Sequence, residues 1–121
     1  MKKVLVMAII GLIVLFACSK SKDTTGGGSG EQTLDCSTVT AKSFGTDVSV
    51  IIETKCATNS NCHGSGSGNG PGALLNYTAV FNARVQIRDA VASGRMPLTG
   101  SITTAQKNSI LCWIDSGAPN N

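Results

Sequence analysis

Residues 56–64 read CATNSNCHG: two cysteines with five residues between them, and a histidine and a glycine directly after the second cysteine. His63 is the single histidine of the 121-residue chain. Glycine, serine and asparagine dominate residues 59–72, a composition that excludes regular helix or strand. We therefore predict that Cys56, Cys62 and His63 lie at or within a loop.

Helical patterns flank this loop on both sides. Apolar residues at helical spacing follow the N-cap candidates Thr46-Asp47 and predict a helix over residues 47–57. Beyond the loop the pattern resumes over residues 74–91, with Asn76 as a cap. We expect two short helices there, joined near Asn82.

The C-terminal part of the chain predicts one more helix. Thr103 and Gln106 have the spacing of a capping box, and an apolar stripe over residues 110–114 ends before Gly117. Because no segment alternates apolar and polar residues, we predict an all-α domain over residues 34–121.

The first 17 residues have the pattern of an export signal. Lys2 and Lys3 precede an apolar run that is too short to span a bilayer comfortably. The run ends in Leu15-Phe16-Ala17-Cys18, which resembles the lipobox of bacterial lipoproteins. We therefore expect a signal peptide over residues 1–17 and lipid on Cys18; an uncleaved anchor and cleavage elsewhere are the alternatives.

Residues 18–33 are rich in glycine, serine and charge, so they are expected to form a flexible, lipid-anchored linker. The predicted location is the periplasmic or outer-membrane face of an exported lipoprotein. The chain has ten Lys and Arg against seven Asp and Glu, and removal of Lys2 and Lys3 leaves eight against seven, a net charge near +1. No basic patch with interleaved aromatic residues remains, so nucleic acid is not an expected partner.

Five cysteines in a short exported chain indicate an oxidising compartment, in which thiols are paired or chemically occupied. Apart from Cys18, these are Cys36, Cys56, Cys62 and Cys112. They allow two disulfides, or one disulfide and two covalent attachments.

The contiguous Cys62-His63 pair is typical of covalent haem attachment. Two thiols add to the haem vinyl groups, and the adjacent histidine becomes an axial iron ligand. Met96 is the one methionine outside residues 1–17, and its thioether is the candidate for the second axial ligand. These residues predict one covalent haem c per chain, held by Cys56, Cys62, His63 and Met96.

At these positions the chain resembles the small class I c-type cytochromes, in particular the cytochrome c-like domains of exported lipoproteins from Bacteroidetes-type bacteria. The segments that carry the resemblance are Cys62-His63-Gly64, Gly70-Pro71-Gly72 with Leu74 and Tyr77, Met96-Pro97, and the run ILCWIDSGAP at residues 110–119.

The resemblance implies a cytochrome c-like helical fold in which the first and last helices cross beside the haem. It implies His63 as proximal and Met96 as distal ligand, with the Pro71 carbonyl orienting the His63 imidazole. It also places Trp113 near the haem edge, although Trp113 is equally typical of a core aromatic residue. If the two helices cross, Cys36 and Cys112 could form a disulfide, and we predict that bond.

The implied function is single-electron transfer between redox protein partners. The lipid on Cys18 would hold the protein at the membrane surface where this transfer takes place. Three arginines, Arg84, Arg88 and Arg95, are either exposed surface residues or partners of the haem propionates. An enzyme is not expected, because an iron held by His63 and Met96 has no open position for a substrate.

The attachment motif departs from the family pattern, which has two residues between the cysteines. Three outcomes stay open: two thioethers across a bulged loop, one thioether through Cys62, or a Cys56–Cys62 disulfide without haem. The last would make the chain a disulfide-stapled binding or structural module. A zinc site built on Cys56, Cys62 and His63 is a further alternative.

Overall fold

The computed structural model describes residues 34–121. These residues form helices joined by loops and contain no strand, so the all-α prediction is confirmed for this part of the chain. The expected signal peptide, the lipid attachment at Cys18 and the linker lie outside the described residues.

Helix α1 covers residues 44–56 in three continuous segments, Phe44–Val48, Ser49–Ile51 and Ile52–Cys56. The first and last segments have the wider π-helical hydrogen bonding. The helix begins three residues before the predicted start, because Asp47 does not act as its N-cap. The Asp47 carboxylate instead reaches back from the first turn and accepts the Ser43 N–H at 2.9 Å.

Helices α2, Tyr77–Asn82, and α3, Arg84–Ala92, meet at Ala83. The prediction of two short helices joined near Asn82 is therefore confirmed. The side chain of Asn76 caps α2 by accepting the Ala79 N–H at 2.9 Å.

Helix α4, Thr104–Asp115, begins with the predicted capping box. The Gln106 N–H donates to the Thr103 hydroxyl at 3.1 Å, and the Thr103 N–H donates to the Gln106 side chain at 2.9 Å. After α4 the chain turns at Gly117, which adopts a φ of +93° that favours glycine.

Helix α4 packs against α3 on one side and against the first segment of α1 on the other. The core side chains come from all four helices, from the loop before α2, from the junction of α2 and α3, and from the segment after α4. They are Phe44, Val48, Ile51, Ile52, Leu74, Val80, Ala83, Ile87, Val91, Ile110, Leu111, Trp113 and Ala118. Burial of this apolar surface holds the helices together.

A disulfide joins Cys36, ahead of α1, to the fully buried Cys112 in α4, with their Cα atoms 5.3 Å apart. This is the pairing that the resemblance implied. It ties the start of the described chain to the last helix.

Candidate functional site

The five residues between Cys56 and Cys62 form a compact turn around one backbone carbonyl. The Asn59 carbonyl accepts both the Cys62 N–H at 3.1 Å and the Gly64 N–H at 2.8 Å. The Cys56 carbonyl accepts the His63 N–H at 2.9 Å, although the two residues are seven positions apart. The turn therefore returns the chain to the end of α1, so that Cys56 and His63 are neighbours.

His63 is largely buried, with 8% of its surface exposed, and its Nδ1 lies 3.1 Å from the Gly72 carbonyl. Because a carbonyl can only accept, this contact selects the tautomer in which Nδ1 carries the proton. In that neutral tautomer Nε2 keeps its lone pair and can serve as a metal ligand.

The acceptor for His63 is Gly72, and the sequence-based assignment to Pro71 is wrong. The Leu74 N–H donates to the His63 carbonyl at 2.8 Å, which holds the segment after Pro71 alongside the histidine. The Gly72 carbonyl is therefore the one within reach of the ring. Pro71 itself lines the adjacent cavity.

Met96 is held near the end of α3. Gly94 adopts a φ of +73°, which lets the chain reverse direction, and the Met96 N–H donates to the Ala90 carbonyl at 3.1 Å. The half-buried Met96 side chain thus lies in the loop between α3 and α4.

Two cavities adjoin these residues. The first has a volume of about 710 Å³, and its apolar wall includes Ile52, Leu74, Ile87 and Val91. The second has a volume of about 550 Å³ and is bordered by the cysteine turn and the loop after Met96.

The two cavities share part of their lining. Cys56, His63, Met96 and Leu98 line both, whereas Cys62 lines the second. The structure therefore brings together four of the predicted site residues: both cysteines, the histidine and the methionine.

Cys56 and Cys62 are both free thiols in the structure. Burial, with a smaller contribution from the neighbouring Cys62, raises the pKa of the Cys56 thiol to about 11. Cys56 is therefore a neutral thiol at physiological pH.

Trp113 does not line either of these two cavities. The indole is fully buried, its centroid lies 5.3 Å from that of Phe44, and its Nε1–H donates to the Pro119 carbonyl at 2.9 Å. Trp113 is thus a core aromatic residue that joins α4 to α1.

The three candidate arginines differ in their surroundings. Arg88 forms a two-point ion pair with Asp115, at 2.6 and 3.0 Å, and Arg84 lies over the Phe81 ring at 4.0 Å. Arg95 lines the larger cavity, where its Nε donates to the Ser93 hydroxyl at 3.2 Å. Of the three, only Arg95 is available to a group bound in that cavity.

Some residues of the site were not found from sequence. The Asn59 carbonyl, the Gly72 carbonyl and Leu98 belong to loops without periodicity, and a backbone acceptor leaves no mark on residue type. Gly64 and Gly72 were noticed only as parts of the runs Cys62-His63-Gly64 and Gly70-Pro71-Gly72, without these roles.

No protein-family model, curated protein or solved structure matches the chain. Within residues 34–121, no three His, Cys, Asp or Glu side chains are grouped so that they could hold a metal ion, which leaves the zinc alternative without support. Across the same residues, no helix combines the length and the apolar character needed to cross a membrane.

Proposed function

We propose that this chain is an exported, lipid-anchored c-type cytochrome domain that binds one covalent haem c and carries single electrons. The observation that carries the proposal is the meeting of Cys56, His63 and Met96 on the lining of both cavities, with Cys62 on the second. These residues come from the end of α1, the cysteine turn and the loop after α3, so the fold and not the sequence alone brings them together.

The cavity residues fit a flat, mostly apolar cofactor. The larger cavity falls within the range of about 300–1,000 Å³ that is usual for ligand sites, and most of such a cofactor would contact aliphatic side chains. The two thiols are free to form thioethers, and Nε2 of His63 keeps the lone pair that an iron ligand needs. When bound, haem supplies an iron that changes between two oxidation states one electron at a time.

Each protein group has a defined task in this proposal. His63 and Met96 would hold the haem iron, and Cys62 together with Cys56 would provide the covalent link. The Gly72 carbonyl holds the His63 ring in one orientation and one tautomer. The aliphatic wall would shield part of a bound haem from water, and a methionine ligand would favour a higher reduction potential than two histidines would give.

The test uses the protein matured in a host that makes c-type cytochromes. A reduced pyridine haemochrome spectrum detects the haem, and peroxidase staining after denaturing electrophoresis shows whether it is covalently attached. Haem that stays with the denatured chain would support the proposal. The Cys56→Ala/Cys62→Ala variant is the matched control and should lose the stain. Absence of haem from the unmodified chain would instead favour a disulfide-stapled lipoprotein module.

Export and lipid attachment form a separate part of the proposal. They rest on the pattern of residues 1–17 and on Cys18. Labelled fatty acid should be incorporated into the unmodified chain and not into a Cys18→Ser variant. Equal labelling of both chains would remove the lipid from the proposal without affecting the haem site.

A further inference from the structure

We infer that Gly64 is a positioning residue, whose contact with the Asn59 carbonyl lets Cys56 and Cys62 attach to the same haem across a five-residue spacing. The inference rests on the proposed function. It goes further by choosing two thioethers among the outcomes that the sequence left open.

The approach of Gly64 to the cysteine turn leaves no room for a side chain. A Cβ atom on Gly64 would lie 2.7 Å from both the carbonyl carbon and the oxygen of Asn59, and 2.9 Å from its Cα atom. All three are backbone atoms, so no side-chain rotation could relieve the overlap. The turn would have to open.

Opening the turn would separate the two cysteines. The Asn59 carbonyl holds the Cys62 and Gly64 N–H groups together, and the Cys56 carbonyl holds the His63 N–H. These hydrogen bonds keep the Cys62-His63 segment close to the end of α1, where Cys56 lies. A displaced 62–64 segment would carry Cys62 and the histidine away from Cys56.

The covalent step requires both thiols at one cofactor. Each thiol adds across a vinyl double bond: an Sγ–C bond forms, the S–H bond breaks, and the hydrogen passes to the other vinyl carbon. The addition is redox-neutral and needs no oxidant. The addition requires that both sulfur atoms reach the same cofactor. The cysteine turn meets this requirement by keeping the two cysteines together.

The experiment compares Gly64→Ala with Gly68→Ala in the full chain. Gly68 is the matched control, because it lies in the same loop and a Cβ atom there meets nothing within 4 Å. Thioethers are counted from the α-band of the reduced pyridine haemochrome and from alkylation of the remaining thiols by mass spectrometry. We expect two thioethers in the unmodified chain and in Gly68→Ala, and one thioether with an alkylatable Cys56 in Gly64→Ala.

Two thioethers in Gly64→Ala, or a single thioether in the unmodified chain, would overturn the inference and leave the proposed function intact. No covalent haem in the unmodified chain would overturn both. If Gly64→Ala does not accumulate, deletion of residues 58–60 in that variant removes Asn59 and restores a two-residue spacing. This deletion should restore both accumulation and two thioethers, and failure to do so would also overturn the inference.

Discussion

The hydrogen bond between His63 and the Gly72 carbonyl shows how a single backbone group can define a site. It fixes which ring nitrogen carries the proton, and so which one keeps a lone pair. Met96 supplies the second candidate ligand from a different loop, and its own N–H is held by the Ala90 carbonyl. The two side chains can therefore be tested separately.

Replacement of Met96 with alanine should remove the sulfur ligand and open a coordination position. We expect the reduction potential to fall by on the order of 0.1 V, within the range of about 0.8 V over which axial ligands act. Spectroelectrochemical titration would measure the shift. The control is Leu98→Ala, which shortens an apolar neighbour on the same cavities and should keep the six-coordinate spectrum. An unchanged spectrum in Met96→Ala would remove Met96 from the ligand set.

Arg95 offers a second test at the residue scale, because this positively charged residue lines the larger cavity. A nearby positive charge favours the reduced form of a bound redox group, so Arg95→Gln should lower the reduction potential. For an exposed charge worth about 0.2–1 kcal/mol, the one-electron shift is about 10–40 mV. Arg88→Gln removes the same charge from the Asp115 pair and should shift the potential less. Equal shifts of the reduction potential in the two variants would mean that the potential depends on net charge and not on the position of Arg95.

The helices show what local sequence can predict. Two capping side chains, Asn76 and Thr103, occupy the positions that their sequence neighbours indicated. The start of α1 was missed because an aspartate near a helix N-terminus can cap it or reach back from the first turn, and Asp47 does the second. The two arrangements share one sequence pattern, so spacing alone does not distinguish them.

The loops show where prediction from sequence ended. The assembly of Cys56, Cys62, His63 and Met96 followed from residue types, because thiol, imidazole and thioether are rare and chemically distinct in this chain. The choice of Gly72 over Pro71 depends on how the backbone runs past His63, which no residue type encodes. Trp113 had two equally good interpretations, and its full burial against Phe44 agrees with that of a core aromatic residue.

The capping box of α4 can be tested at the element scale. Thr103→Ala removes the acceptor for the Gln106 N–H and should cost about 1 kcal/mol of folding stability. That loss corresponds to a decrease in Tm of about 4–8 °C for a domain of this size. The neighbouring Thr104→Ala makes a chemically identical change one residue later, inside the helix, and should alter stability by less than about 0.5 kcal/mol. Thermal unfolding followed by circular dichroism would show whether the two variants differ.

Within the described domain, α1 contributes to two different regions. On the core side, Phe44 meets Trp113, and the nearby Cys36–Cys112 disulfide ties the segment before α1 to α4. At its other end α1 delivers Cys56 to the cavities, where α3 and its following loop supply the opposite lining. The covalent tie is therefore separate from the candidate site, so its removal should affect stability more than the redox chemistry.

Removal of the Cys36–Cys112 disulfide tests this separation. The bond joins residues 76 positions apart, and closing a loop of that length restricts the unfolded chain by about 4 kcal/mol in the chain-entropy description. We expect Cys36→Ala/Cys112→Ala to lose on the order of 4 kcal/mol in urea unfolding and to keep its haem content and reduction potential. Lys42→Ala is the control: it keeps the disulfide but removes the hydrogen bond from Nζ to the Cys36 carbonyl at 2.7 Å, and should cost about 1 kcal/mol. A double variant no less stable than Lys42→Ala would mean that the disulfide does not restrict the unfolded chain, and a changed potential would mean that it also shapes the site.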